Sequence, residues 1–114
     1  MTETVFDRIL SREIPADIVF ENDEILGFRD ITPQAPVHVL FIPKRRIATL
    51  NDLEETDQGL IGRLMLAACA YARCQGFAAN GYRCVINCGP DGGQSVDHIH
   101  LHLLAGRRLS WPPG

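Results

Sequence analysis

Three of the chain's four histidines fall within five positions, at His98, His100 and His102, and they alternate with Ile99, Leu101 and Leu103. A strand sends alternate side chains to opposite faces, so this spacing predicts three aliphatic residues in a core and three imidazoles in a row on the other face. Imidazole is neutral near pH 7, nucleophilic, and a good proton donor once charged. Such a row suits two chemistries. As metal ligands, the outer pair would stand about 13 Å apart along a strand. Zn–N bonds are about 2.0–2.1 Å, so one ion would use two of the three and draw a further ligand from elsewhere, with His38 as the candidate. As acid–base and nucleophilic groups, a central His100 flanked on its own face by His98 and His102 would have its proton-handling partners beside it. The glycine-rich segment 89–95, which ends on Ser95, fits the second use, because loop amides and a hydroxyl can face an anion.

The elements that must hold these residues are short. Val5–Leu10 reads as a helix, with Phe6, Ile9 and Leu10 at helical spacing. Segments 18–21 and 25–30 read as strands separated by the turn-forming Asn22-Asp23. A proline-rich loop leads into 37–42, apolar on both faces and therefore an interior strand, stopped by Pro43. A long helix is expected from Asn51, capped by Asn51 and Glu54 and stopped at Gly76. Its apolar stripe runs through Leu60, Ile61, Leu64, Met65, Ala68 and Tyr71. Strands at 82–87 and 98–104 complete a pattern of strands joined by short turns, which predicts an α+β fold with helices packed on an antiparallel sheet.

Length and composition narrow the function classes. The chain has 114 residues, a size expected of one domain spanning 1–114, and no repeat or linker divides it. Eleven basic residues against fourteen acidic ones give a net charge of −3, and Lys44 is the only lysine. A nucleic-acid binder normally carries a basic excess, so that partner is disfavoured. The longest apolar stretches fall far short of the run of about 20 that a membrane span needs, so no membrane partner is expected. The first residues lack the pattern of a secretory signal, which makes a cytoplasmic location the expectation. Cys69, Cys74, Cys84 and Cys88 then read as reduced thiols serving as small core hydrophobes.

The motif His98-Ile-His-Leu-His-Leu-Leu resembles the signature of the histidine triad (HIT) nucleotide-binding hydrolases. Asp30-Ile-Thr-Pro-Gln-Ala-Pro-Val-His38, Phe41-Ile-Pro-Lys44, Asp91-Gly-Gly-Gln-Ser95 and the tail from Gly106-Arg107 to Trp111-Pro-Pro-Gly114 resemble its Hint branch, the nucleoside phosphoramidases. The resemblance implies a five-stranded antiparallel sheet with one long and one short helix, and a two-fold homodimer. It implies that His100 attacks the α-phosphorus of a purine nucleoside phosphoramidate or acyl-adenylate. A nucleotidyl-histidine would form, and water would release the nucleoside monophosphate. His102 would contact the phosphate and assist the leaving group, and His98 and His38 would orient the nucleophile. Asn87, Gly93 and Ser95 match phosphate-side positions, Ser95 near the departing amine, and Asp30 matches the ribose-binding acid. Phe6, Ile9, Ile14, Phe28 and Ile31 match the apolar base pocket, and Trp111 matches a tryptophan that reaches the site across the dimer. No cofactor or metal is implied, since amides, Ser95 and a protonated histidine could hold the developing charge. Cys88, Pro90, Asp97 and Ala105 depart from the family's usual residues. A dinucleoside polyphosphate hydrolase and a zinc-binding or scaffold protein are the alternative readings.

Overall fold

The computed structural model describes residues 3–114. Helix α1, Val5–Leu10, starts at a capping box in which the Thr4 hydroxyl accepts from the Asp7 N–H (3.2 Å) and the Asp7 carboxylate accepts from the Thr4 N–H (2.8 Å). Strands β1 (Ile18–Glu21), β2 (Ile25–Arg29) and β3 (Val37–Pro43) follow, then helix α2 (Gln58–Gln75), β4 (Tyr82–Ile86) and β5 (Leu101–Ala105). The five strands form one antiparallel sheet in the order β1-β2-β3-β5-β4. This is the expected α+β architecture, with β3 interior as its two apolar faces required. Among the described residues no helix is long and apolar enough to cross a membrane.

The two faces of the sheet bury different clusters. Val39 and Phe41 of β3, Leu101 and Leu103 of β5, and Ile99 pack with Leu60, Leu64, Ala67 and Ala68 of α2. On the other face, Leu40 and Ile42 join Leu26 and Phe28 of β2 against Phe6 and Ile9 of α1. The period-two alternation therefore sorts the aliphatic residues toward α2 and the histidines toward α1.

The starts of the long helix and of the final strand differ from expectation. The long helix begins at Gln58 rather than near Asn51. Asn51 sits in the short 3-10 turn Leu50–Asp52, which is capped reciprocally by Thr49 and Asp52, and a second such turn, Glu55–Asp57, precedes α2. Thr49 caps that turn rather than the long helix, the chain turns extended at Leu53, and α2 starts after Asp57 without a side-chain cap bond. At the other end, Gly76 (φ +85°) stops α2 as its sequence predicts. The final strand begins at Leu101 rather than His98, because the Ile99 N–H bonds the Ile47 carbonyl (2.7 Å) instead of joining the ladder. The cysteines are less buried than core residues: Cys74 is exposed and Cys69, Cys84 and Cys88 are half-buried.

Candidate active site

Every histidine takes its orientation from backbone groups or from another histidine. The His98 ring lies fully buried with its Nε2 2.7 Å from the Pro43 carbonyl. His100 places its Nδ1 2.7 Å from the His98 carbonyl. A carbonyl only accepts, so Nδ1 of His100 carries the proton and Nε2 of the neutral ring keeps its lone pair. The same logic runs through the other pair. The Gln34 N–H donates to His38 Nδ1 (3.0 Å), so neutral His38 carries its proton on Nε2. That nitrogen is 2.9 Å from His102 Nδ1, which must then accept. His102 is left with a protonated Nε2 that is buried and has no hydrogen-bond partner.

Burial sets the charge state of these rings. It holds His98 and His38 below the ordinary imidazole range, with Asp30, 3.5 Å from His38, opposing the effect there. Burial, helped by the neighbouring His100 and His38, pushes His102 down to about 4. At neutral pH His102 is therefore a neutral donor. A stability prediction follows. The unfolded chain protonates these three histidines near pH 6.5, whereas the folded chain resists it. Their contribution is thus complete above that pH and is lost as the pH falls toward 4, by at most about 1.4 kcal/mol per unit for each ring. Urea midpoints are expected to decline between pH 7.5 and 5, and a flat profile over that range would refute the burial argument.

A cleft of about 240 Å³ opens beside the row, lined by Phe6, Ile9, Ile14, Phe28, Asp30, Ile31, Ser95, His100 and His102 among others. The structure thus brings together nine of the residues singled out from the sequence. Ile31 forms an open rim, being 95% exposed, while Phe28 is buried. Phe6 meets His98 and His100 edge-to-face, with ring centroids 5.8 and 5.1 Å away. Val5, Pro15, Ala16, Leu40 and Val96 also line the cleft. Val5 lies on α1 and Leu40 on β3, elements the sequence reading used for packing alone, while Pro15, Ala16 and Val96 lie outside the helices and strands.

Other expected residues are placed differently. Asn87 and His38 line a second cavity, which shares His102 with the first. Gly93 reaches neither, and its N–H closes a turn onto the Pro90 carbonyl (3.1 Å). The Gln94 N–H likewise bonds the Gly89 carbonyl (3.1 Å), so these two amides bind the loop to itself rather than facing an anion. Gly92 has a steric role, since a Cβ there would lie 2.3 Å from the Cys88 carbonyl oxygen. Trp111 is 81% exposed and outside both cavities. His38 bonds His102 rather than the nucleophile candidate, and His98 orients His100 through its carbonyl rather than its ring. The basic run is engaged elsewhere: Lys44 pairs with Glu21, Arg45 with Asp57 and Arg46 with Asp7.

A five-stranded antiparallel sheet whose alternating histidines bring His100 and His102 to a cleft, with His98 buried behind them, is the architecture of a histidine triad protein. The chain belongs to the HIT domain family, in its Hint branch: the family's sequence profile matches residues 11–109. The chain is 53% identical over 113 residues to Adenylylsulfatase HINT1 of Arabidopsis thaliana, covering 97% of this chain and 76% of that protein. It is 50% identical over 114 residues to a 14 kDa zinc-binding protein of Brassica juncea, covering 98% of this chain and all of that protein. Among solved structures, a HIT family hydrolase from Legionella pneumophila Philadelphia 1 superimposes with a TM-score of 0.96 at 50% identity, over 98% of this chain and 100% of the other.

Proposed function

We propose that this chain is a nucleotide hydrolase that cleaves purine nucleoside phosphoramidates and related adenylates through a nucleotidyl-His100 intermediate. The observation that carries the reading is the fixed tautomer of His100. Its Nδ1–H is held by the His98 carbonyl, so the lone pair sits on Nε2 at a cleft with an apolar wall for a base and Asp30 for a ribose. In the first step the Nε2 lone pair forms a bond to phosphorus. The P–N bond to the amine breaks with its electron pair going to nitrogen, which takes up a solvent proton. In the second step water attacks phosphorus and releases its proton to solvent, and the bonding pair returns to His100 Nε2. Neutral His102 offers its Nε2–H to a phosphoryl oxygen in both steps, and the Ser95 hydroxyl stands on the same cleft. The Arabidopsis relative, named for action on an adenylyl sulfate, supports a nucleotidyl substrate. Rapid quenching during turnover of adenosine 5′-phosphoramidate is expected to trap a nucleotidyl mass on the peptide that contains His100. A quenched enzyme with no adduct, or with one elsewhere, would overturn the mechanism.

A second reading concerns zinc. Asp30, His38 and His102 place ligand atoms within 4.8 Å of one another, a donor set that fits zinc. Zinc held there would supply Lewis-acid chemistry, but it would compete for the nitrogens that His38 and His102 share. Turnover is therefore expected to persist in EDTA and to fall as zinc is added. Loss of turnover in chelator, restored by zinc, would assign the metal the working role instead.

A homodimer is also proposed. Met65 and Leu66 of α2 and Trp111 are exposed apolar side chains, 39%, 63% and 81% accessible in the single chain, and a two-fold partner would cover them. Sedimentation is expected to give twice the 12.7 kDa chain mass, and an active species at 12.7 kDa would refute the dimer.

A further inference from the structure

The proton on His102 is fixed from outside the histidines, by the loop between β2 and β3. The Gln34 N–H donates to His38 Nδ1 (3.0 Å), and His38 Nε2 stands 2.9 Å from His102 Nδ1. The contact between the two rings is equally good in either direction, because neutral imidazole donates at one nitrogen and accepts at the other. The groups at its ends decide. A backbone amide only donates, so the Gln34 N–H forces the His38 proton onto Nε2 and, through it, the His102 proton onto Nε2. The Asp30 carboxylate favours the same sense, but at 3.5 Å from His38 Nε2 it is long for a hydrogen bond. His102 Nε2 has no hydrogen-bond partner that would add to or oppose the choice.

The loop that carries this amide, 31–36, is held at few points. Pro33 and Pro36 have no N–H to give, and no residue of the loop belongs to a strand. Its other bonds are local: the Thr32 N–H to Asp30 Oδ1 (2.8 Å) and the Gln34 side-chain amide to the Thr32 carbonyl (3.0 Å). Among the described residues, one hydrogen bond ties the loop to a distant segment, from Arg107 Nη2 to the Gln34 carbonyl (3.0 Å). Arg107 Nη1 also donates to the Arg108 carbonyl (3.1 Å), which fixes the guanidinium on its own backbone. The two segments are in direct contact beside it, since a Cβ on Gly106 would lie 2.8 Å from the Pro36 side chain. We infer that Arg107 is a positioning residue: by holding the Gln34 carbonyl it keeps the Gln34 N–H on His38, and so keeps the His102 proton on Nε2. The inference rests on the hydrolase reading above for its effect on rate, and on geometry alone for its effect on the proton. Without Arg107 the loop keeps only its local bonds and the amide no longer breaks the tie. In the reversed arrangement His102 Nδ1–H donates to His38 Nε2, and His102 turns a lone pair rather than a proton toward a phosphoryl oxygen.

Long-range 1H–15N correlation spectra of the whole protein at about pH 7.5, where both rings are neutral, read the protonated nitrogen of each ring directly. The parent chain is expected to show Nε2–H at His38 and at His102. R107Q is expected to show a mixture in which both rings also populate Nδ1–H. R107K is expected to show less of it, because an ammonium still donates to a carbonyl. R108Q is expected to match the parent, since Arg108 offers only its carbonyl to this arrangement. In turnover of adenosine 5′-phosphoramidate, R107Q is expected to lose about fivefold to tenfold in kcat, the worth of one hydrogen bond, with KM within about twofold and partial recovery in R107K. Unchanged ring protons in R107Q, the same change in R108Q, or a loss confined to KM would overturn the inference. A parent chain that turns over no phosphoramidate would strike the hydrolase reading instead, while the spectra still decide the role of Arg107.

Discussion

Replacing His100 with alanine is expected to lower kcat by at least about 10⁴-fold while nucleoside monophosphate binding stays within a few-fold. The asymmetry has a structural origin. Binding draws on the apolar wall of Phe6, Ile9, Ile14 and Phe28 and on Asp30, which the substitution leaves in place. Chemistry draws on a nitrogen lone pair, and no neighbouring ring offers one to the cleft. His102 Nδ1 accepts from His38 and its Nε2 bears a proton, while His98 donates its Nε2–H to the Pro43 carbonyl and keeps its lone pair on a buried Nδ1, outside the cleft lining. His100 is 3% exposed and packs on Phe6, so a melting curve must accompany the rate measurement. A folded H100A enzyme with kcat within tenfold of the parent would remove His100 from the mechanism.

The second large effect is on stability. Phe41 is fully buried between the sheet and α2, with its ring 6.1 Å from Phe20 and 5.9 Å from Tyr71. Gly27 on the neighbouring strand makes room for it, since a Cβ there would lie 2.8 Å from the Phe41 ring. Truncating such a ring loses its transfer free energy and leaves a void that rigid neighbours fill poorly. Phe41→Ala is therefore expected to cost about 3–5 kcal/mol, or about 15–30 °C in Tm for a domain of this size. Phe41→Leu should lose much less. A loss below about 1 kcal/mol in F41A, read from urea unfolding, would show that the two faces of β3 are packed more loosely than described.

Local periodicity made much of this legible. The alternation of histidine and aliphatic residues defined both faces before any fold was known, and it held even where His98 and His100 fall outside the ladder. The interior position of β3 followed from its apolar character on both faces, and Gly76 marked the end of α2. Where several residues compete for one role, the sequence pattern was ambiguous. Asn51 and Thr49 both suit a cap, and the chain uses Thr49, in reciprocal bonds with Asp52, for a short turn that precedes the helix. The proton arrangement was invisible for a similar reason: it depends on the Gln34 N–H and on the carbonyls of Pro43 and His98, and every residue owns such groups.

Phe6 belongs to two structures at once, being both a wall of the apolar cleft and the surface on which His98 and His100 rest. A change at this ring cannot be confined to one of them. Attempts to retune the cleft for a different base have most room at the partly buried Ile14, because Ile9 is core and Phe28 packs edge-to-face on Phe6 (5.5 Å), whereas a new side chain at position 6 shifts the rings of His98 and His100 along with the shape of the cleft. Selectivity and rate are mechanically tied in this chain through a single six-residue helix.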